Sequence, residues 1–227
     1  MNKFNRLEKV IGYHSLEILK DKTVLVLGCG GVGGFVCEAL VRSAIGRVII
    51  VDYDVVDETN INRQIIALES TIGRKKVDVL EERIKDINSS CEVVKIDKFI
   101  TPSNIDELFS YNIDYFIDAC DTVSVKKEVI DKCLLNKIKF ISCMGTGNKV
   151  HPEKLSIVDI RKTVNDPLAR IIRKYVKDKR IKDKVMVLSS DEVPLKTENS
   201  VVGSTSFVPS VAGILIAGYV IREFIKK

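Results

Sequence analysis

The sequence predicts an α/β fold built on a doubly wound, mostly parallel sheet, with a mixed β extension in the C-terminal half. Three observations carry that expectation. Short apolar segments rich in β-branched residues alternate with segments whose apolar residues recur at three and four positions, a βαβαβ rhythm. A glycine-rich turn follows the first of those strands and opens a helix. Beyond residue 145 the regular alternation gives way to a more polar stretch.

Taken in order, buried strands are expected at 23–28, 48–52, 92–97, 113–118 and 139–143, each a short apolar run. Helices are expected between them at 33–43, 74–87, 103–110 and 123–136. In the second half, Asp166 followed by Pro167 pairs an N-cap residue with proline at the first helical position, so a helix starts there. Strands at 154–160 and 184–188 bracket that helix and extend the sheet. The closing segment 207–225 is apolar from 211 to 221, a run that suits a buried helix or a subunit interface better than a membrane span.

Composition narrows the function classes. With 227 residues, 45% hydrophobic and 30% charged, the chain can bury one substantial core, so a single domain over 1–227 is expected. Thirteen Gly and five Pro exclude collagen-like or low-complexity material. The opening stretch MNKFNRLEKVIGYHSLEILKDK mixes charge with apolar side chains and contains no secretory-type apolar core. A cytoplasmic protein without stable membrane insertion is the expectation. Six cysteines are scattered with no Cys-x-x-Cys spacing, which points to buried reduced thiols and no structural zinc. His14 and His151 stand alone and read as structural residues. The 36 basic and 31 acidic residues leave +5, which permits an anionic partner such as RNA.

The chemistry is concentrated in four places. Gly28-Cys29-Gly30-Gly31-Val32-Gly33 follows the strand TVLVL, and glycines at 28, 30, 31 and 33 let a phosphate approach the backbone and the N-terminus of the next helix. This is a Rossmann-like arrangement. Asp52 closes the second strand at its carboxyl end, where a carboxylate accepts hydrogen bonds from ribose hydroxyls. Arg63 follows in the loop leaving that strand, and Lys76 comes early in the next helix, so both can reach a triphosphate. Asp118 and Asp121 end a strand at the same sheet edge; carboxylates beside phosphates need a cation between them, which implies magnesium. The glycine turn and Asp52 alone would equally serve a nicotinamide-dependent oxidoreductase, and that alternative stays open on these residues.

The combination GCGGVG, VDYDVVDETNINRQ, GRKKV and DACD resembles the adenylating fold shared by ubiquitin-activating enzymes and by the ThiF and MoeB activators of sulfur-carrier proteins. The resemblance implies ATP and magnesium as cofactors: Asp52 on the ribose, Asn60 and Arg63 on the phosphates, Lys76 on the phosphates and the adenylate, and Asp121 on the metal. Arg63, Lys76 and Asp121 are thereby the catalytic candidates. It further implies residues 1–145 as a nucleotide-binding half and 146–227 as a substrate-binding and dimerisation half. A homodimer follows by the same likeness, with Arg6 matching an arginine that reaches across it.

A narrower likeness rests on Thr101-Pro102-Ser103-Asn104, Ile157-Val158-Asp159-Ile160, Asp166-Pro167-Leu168-Ala169 and the Gly203-Ser204 to Pro209 segment. These are similar to the branch of the family that acts on tRNA, the tRNA threonylcarbamoyladenosine dehydratases. That likeness implies ATP-dependent cyclisation of the threonylcarbamoyl group to a hydantoin with loss of water. The basic stretch 161–184, with Arg170, Arg173, Lys174 and Arg180, is the candidate tRNA surface. No cysteine follows Cys143, and the segment where members of that branch often carry one reads Val185-Met186-Val187-Leu188-Ser189-Ser190. Covalent transfer to a thiol is disfavoured on that ground. Adenylation of the C-terminal glycine of a ubiquitin-like carrier is the alternative.

Overall fold

A computed structural model describes residues 2–197 and 201–226. After two N-terminal helices, α1 (Asn5–Ile11) and α2 (Tyr13–Lys20), the chain runs β1 (Thr23–Leu27), α3 (Gly33–Arg42), β2 (Arg47–Asp52), α4 (Lys76–Ile87) and β3 (Glu92–Asp97). It continues through β4 (Tyr115–Asp118), α5 (Val123–Leu135), β5 (Lys139–Cys143), β6 (Leu155–Asp159), α6 (Pro167–Asp178), β7 (Met186–Ser190) and α7 (Phe207–Ile225). The strands form one seven-stranded sheet in the order β3-β2-β1-β4-β5-β7-β6. All pairings are parallel except β6 with β7. The chain winds outward from β1 to β3, returns, and winds the other way from β4, so the topological switch lies between β1 and β4. This is the mostly parallel sheet with a mixed extension that the alternation predicts.

Because successive strand residues face opposite sides, the central strands feed two cores. Val24, Val26, Val48 and Ile50 pack with Leu40 of α3 and Ile216 of α7. Leu25, Ile49, Val51 and Phe116 pack with Val129 of α5 and Ile172 of α6. Gly213 lets α7 approach the start of α3 closely, since a Cβ there would lie 2.5 Å from the carbonyl oxygen of Val32.

Several expectations shift. β3 is an edge strand with alternating exposure rather than a buried one, because only β2 pairs with it. Residues 105–110 form a 3-10 helix and not an α-helix. The Asn104 side chain accepts from the Thr101 N–H at 2.8 Å and donates to the Phe99 carbonyl at 3.0 Å, competing with helical bonds in a segment too short to nucleate well. β7 continues beyond its apolar run, because Ser189 and Ser190 stay in register with Ser156 and Leu155. The N-terminal helices carry no clear sequence signal, and α1 buries no residue at all.

Helix α7 spans 19 residues with mean hydropathy 1.6, so by length and composition it is long and apolar enough to cross a membrane. The apolar run from 211 to 221 understates it. One face, carrying Val208, Ala212, Ile216 and Val220, is buried in the core shared with α3, while Ile214 and Leu215 are exposed.

Candidate active site

The switch point between β1 and β4 opens into a cavity of about 380 Å³ at the carboxyl edge of the sheet. Its floor is the glycine turn. Gly28 adopts φ 94°, and a Cβ on it would stand 2.8 Å from the Ala119 carbonyl, so the turns after β1 and β4 touch there. A Cβ on Gly33 would lie 1.7 Å from the Gly28 carbonyl. Gly33 therefore seats α3 beneath the turn and does not line the cavity, whereas Gly28, Gly30 and Gly31 do. No side chain caps α3, which leaves its N-terminal N–H groups for an anion.

Asp52 is held by two backbone amides, Cys29 N–H to Oδ2 at 2.6 Å and Asp54 N–H to Oδ1 at 2.9 Å. Each oxygen keeps a lone pair for a ribose hydroxyl. Asn60 lies buried at the end of a 3-10 turn capped by Asp57, and its Oδ1 accepts from the Asp57 N–H at 3.3 Å. Arg63 Nη1 donates to the Thr59 carbonyl at 2.7 Å and to Asn62 Oδ1 at 2.8 Å. The remaining guanidinium N–H groups have no protein partner among the described residues. Lys76 belongs to a residue type that usually stays at the surface, yet it is buried here, and its Nζ donates to Asp54 Oδ2 at 2.9 Å. Short antiparallel pairing holds it there: Val56 N–H to the Arg74 carbonyl at 2.8 Å and Lys76 N–H to the Asp54 carbonyl at 3.0 Å.

Asp118 departs from its expected place beside Asp121. It is wholly buried behind the cavity, where Oδ2 accepts from Lys126 Nζ at 3.1 Å and Ser142 Oγ at 2.6 Å, and Oδ1 from the Cys120 N–H at 3.2 Å. The residue types explain this: the buried ammonium of α5 requires a counter-ion, and β4 supplies it. Burial is the largest single influence and lowers the Lys126 pKa, but Asp118 together with Cys120 and Cys143 outweighs it, and the net direction is upward. Asp121 alone of the pair lines the cavity, exposed, its carboxylate accepting among the described residues only from the neighbouring Thr122 hydroxyl at 3.5 Å. A hard, open carboxylate of this kind suits magnesium, which takes one or two protein carboxylates with substrate phosphates and water.

Residues that the motifs do not single out also line the cavity: Asp54, Tyr53, Phe99, Gln64, Thr146 and Ser204. The nearness of Asp54 to Asp52 in the chain is a legible signal, and Thr146 follows the end of β5, where ligands sit in such sheets. Tyr53 and Phe99 stack edge to face with centroids 4.6 Å apart. The Tyr53 phenol is pushed up by Asp54 first, then by burial, Asp121 and Asp52, so it stays neutral. Gln64 is buried, with its Oε1 unpartnered among the described residues. Cys120 is only half-buried and lines the cavity, unlike the other five thiols, and burial followed by Asp118 pushes its pKa up, keeping it protonated. The basic residues of α6 lie outside the cavity. Arg170, Lys174 and Arg180 are exposed without a side-chain partner among the described residues, while Arg173 Nη1 donates to the Thr163 carbonyl at 2.5 Å and hydroxyl at 2.6 Å.

Comparison with known proteins bears on the whole chain and its fold. The ThiF family model matches residues 4–226. The chain is 43% identical over 243 aligned positions to the tRNA threonylcarbamoyladenosine dehydratase of Bacillus subtilis, covering 100% of this chain and 96% of that protein. It is 38% identical over 175 positions to the enzyme of the same name from Escherichia coli, covering 77% of this chain and 65% of the relative. A crystal structure of the E. coli tRNA N6-threonylcarbamoyladenosine dehydratase TcdA in complex with ATP superposes with a TM-score of 0.92 at 33% identity, covering 98% of this chain and 93% of that one. The uncapped helix over a glycine turn, the paired cations and the full-length likeness lead to one conclusion: the chain belongs to the ThiF family, on the branch of the tRNA threonylcarbamoyladenosine dehydratases.

Proposed function

We propose that this chain is an ATP-dependent tRNA threonylcarbamoyladenosine dehydratase that works through the residues assembled in the cavity. The carrying observation is the convergence of Arg63, Lys76, Asp121 and the uncapped start of α3 on one cavity, in a chain alike to the dehydratases from end to end. In the reaction, an oxygen of the threonyl carboxylate bonds to the α-phosphorus of ATP and pyrophosphate leaves. The substrate's own ureido nitrogen then attacks the activated carbonyl, AMP departs with that oxygen, and the nitrogen's proton passes to solvent. The net change in the nucleoside is loss of one water.

The protein groups have few tasks, since the second nucleophile arrives with the substrate. Asp52 binds the ribose, the α3 N-terminus and Asn60 receive phosphates, and Arg63 and Lys76 offset the charge that develops on the α-phosphate and leaving group. Asp54 holds the Lys76 Nζ in place through its hydrogen bond. Magnesium held by Asp121 would neutralise phosphate charge. No cysteine is needed, and none follows Cys143. The chain acts in the cytoplasm on this reading, where its tRNA is found, and requires no structural zinc. It works as a homodimer, a reading supported by α1, which buries nothing and exposes Arg6 and Val10, and by the open Ile214 and Leu215 face of α7.

The test is direct. Incubation with Mg-ATP and tRNA bearing threonylcarbamoyladenosine, followed by gentle digestion and mass measurement, is expected to show an ATP-dependent loss of one water. Pyrophosphate exchange that depends instead on a carrier ending Gly-Gly would favour the carrier-protein reading.

The tRNA is held along α6 and the turn that follows it. Replacing Arg170, Lys174 and Arg180 together is expected to weaken tRNA binding and flatten its dependence on salt, leaving ATP affinity intact. Fluorescence titration across salt concentrations reads both; an unchanged slope would remove this surface from the proposal. Arg173, whose guanidinium is bonded to Thr163, is expected to contribute less than the other three.

A further inference from the structure

The cavity extends along the carboxyl edge of the sheet from the end of β2 to the end of β5. Three strand spacings separate Asp52 from the β5 end, about 14 Å. With the ribose at Asp52, a substrate carboxylate reaches the α-phosphate from the opposite end, which Thr146 and Ser204 line. Two segments distant in sequence make that wall, the loop after β5 and the segment leading into α7.

Asn148 joins them. Its N–H donates to the Gly203 carbonyl at 2.8 Å, its Oδ1 accepts from the Gly203 N–H at 2.6 Å, and its carbonyl accepts from the Leu195 N–H at 2.7 Å. It does so at φ 56°, a left-handed conformation that asparagine tolerates better than most residues. The segments are pressed together beside it, since a Cβ on Gly147 would stand 2.3 Å from Val202 Cγ1. The next residue anchors the loop from behind: buried Lys149 donates from Nζ to the Gly145 carbonyl at 2.7 Å and to Asp166 Oδ2 at 3.1 Å. Asp166 in turn caps α6 through the Ala169 N–H at 2.8 Å. On the other side, the Ser204 carbonyl accepts from Asn62 Nδ2 at 2.9 Å, and Asn62 Oδ1 accepts from Arg63 Nη1 at 2.8 Å.

We propose that Asn148 is a positioning residue for the modified nucleoside: by holding Gly203 it sets Ser204 on the wall that receives the threonylcarbamoyl arm. The proposal rests on the dehydratase reading. The arm suits that wall, because it carries a carboxylate, a hydroxyl and ureido N–H groups, while Thr146 and Ser204 offer hydroxyls that both donate and accept.

Asn148→Gly separates positioning from backbone strain. Glycine adopts the left-handed conformation freely, so the fold is retained, while the Oδ1 bond to Gly203 is lost. The expected result is at least a tenfold fall in kcat/KM for tRNA bearing threonylcarbamoyladenosine, with ATP affinity by calorimetry and the melting temperature close to wild type. Asn148→Asp, which keeps the acceptor oxygen, is expected to recover most of the loss. Wild-type kcat/KM in Asn148→Gly overturns the inference, as does a parallel loss of ATP affinity. Failure of the unsubstituted protein to convert the nucleoside overturns instead the dehydratase reading beneath it.

Discussion

Arg63→Ala and Asp121→Ala are each expected to lower turnover a hundredfold or more, about 3 kcal/mol of transition-state stabilisation. Arg63 is held before any ligand arrives, by the Thr59 carbonyl and Asn62 Oδ1, so its charge is placed without reorganisation. Its backbone N–H bonds independently to the Asn60 carbonyl at 3.0 Å, so the loop keeps its shape when the side chain is cut back. Asp121 is exposed, and its loss removes little packing. Both variants are therefore expected to melt near the wild-type temperature while the steady-state rate of water loss collapses. Near-normal rates in both would refute the site assignment, whatever their stability.

The other large effect is on folding. Lys126→Met is expected to destabilise the chain by about 3–5 kcal/mol, because it leaves the Asp118 carboxylate buried without its counter-ion. Lys126 Nζ also donates to Ser142 Oγ at 3.2 Å and to the Cys143 carbonyl at 2.8 Å, so the ammonium ties α5 to the ends of β4 and β5. The double variant Asp118→Asn/Lys126→Met removes both charges and is expected to recover a large part of the loss, a coupling that urea denaturation of the four proteins measures. The pH dependence follows from the upward shift of Lys126 from its ordinary value of 10.5. A group whose folded pKa is raised contributes stability that is fully present below the unfolded value and disappears as the pH climbs through the folded one. On the basic side, the Lys126 contribution is thus expected to hold above neutral pH and to weaken in strong alkali. A single Lys126 variant as stable as wild type would show that the pair is dispensable.

Much of the nucleotide end is legible in the sequence because its residues are local to strand ends. In a parallel sheet every βα turn emerges at the same edge, so Gly28, Asp52 and Asp121 meet once the strands around them are identified. Asp118 reads as a companion of Asp121 since both close the same strand, yet only tertiary packing reveals that Lys126, early in α5, faces it. Lys76 and Arg63 carry a charge argument that any surface residue shares; burial of one and anchoring of the other come from the Asp54 contact and the Asn62 side chain. The α6 stretch looks uniformly basic, but the structure ties Arg173 to Thr163 and leaves Arg170 and Lys174 open.

By itself the sequence determined the alternating fold, the glycine turn after β1 and the family, since each depends on periodicity or on residues within a few positions of one another. What only the tertiary structure decided is which residues line the β5 end of the cavity. Thr146 and Ser204 lie far apart in the chain, on either side of β6, α6 and β7, and meet on one wall through Asn148 and Gly203. Such a contact leaves no periodic trace, because it arises from the packing of whole segments and not from the local preferences of the residues that make it.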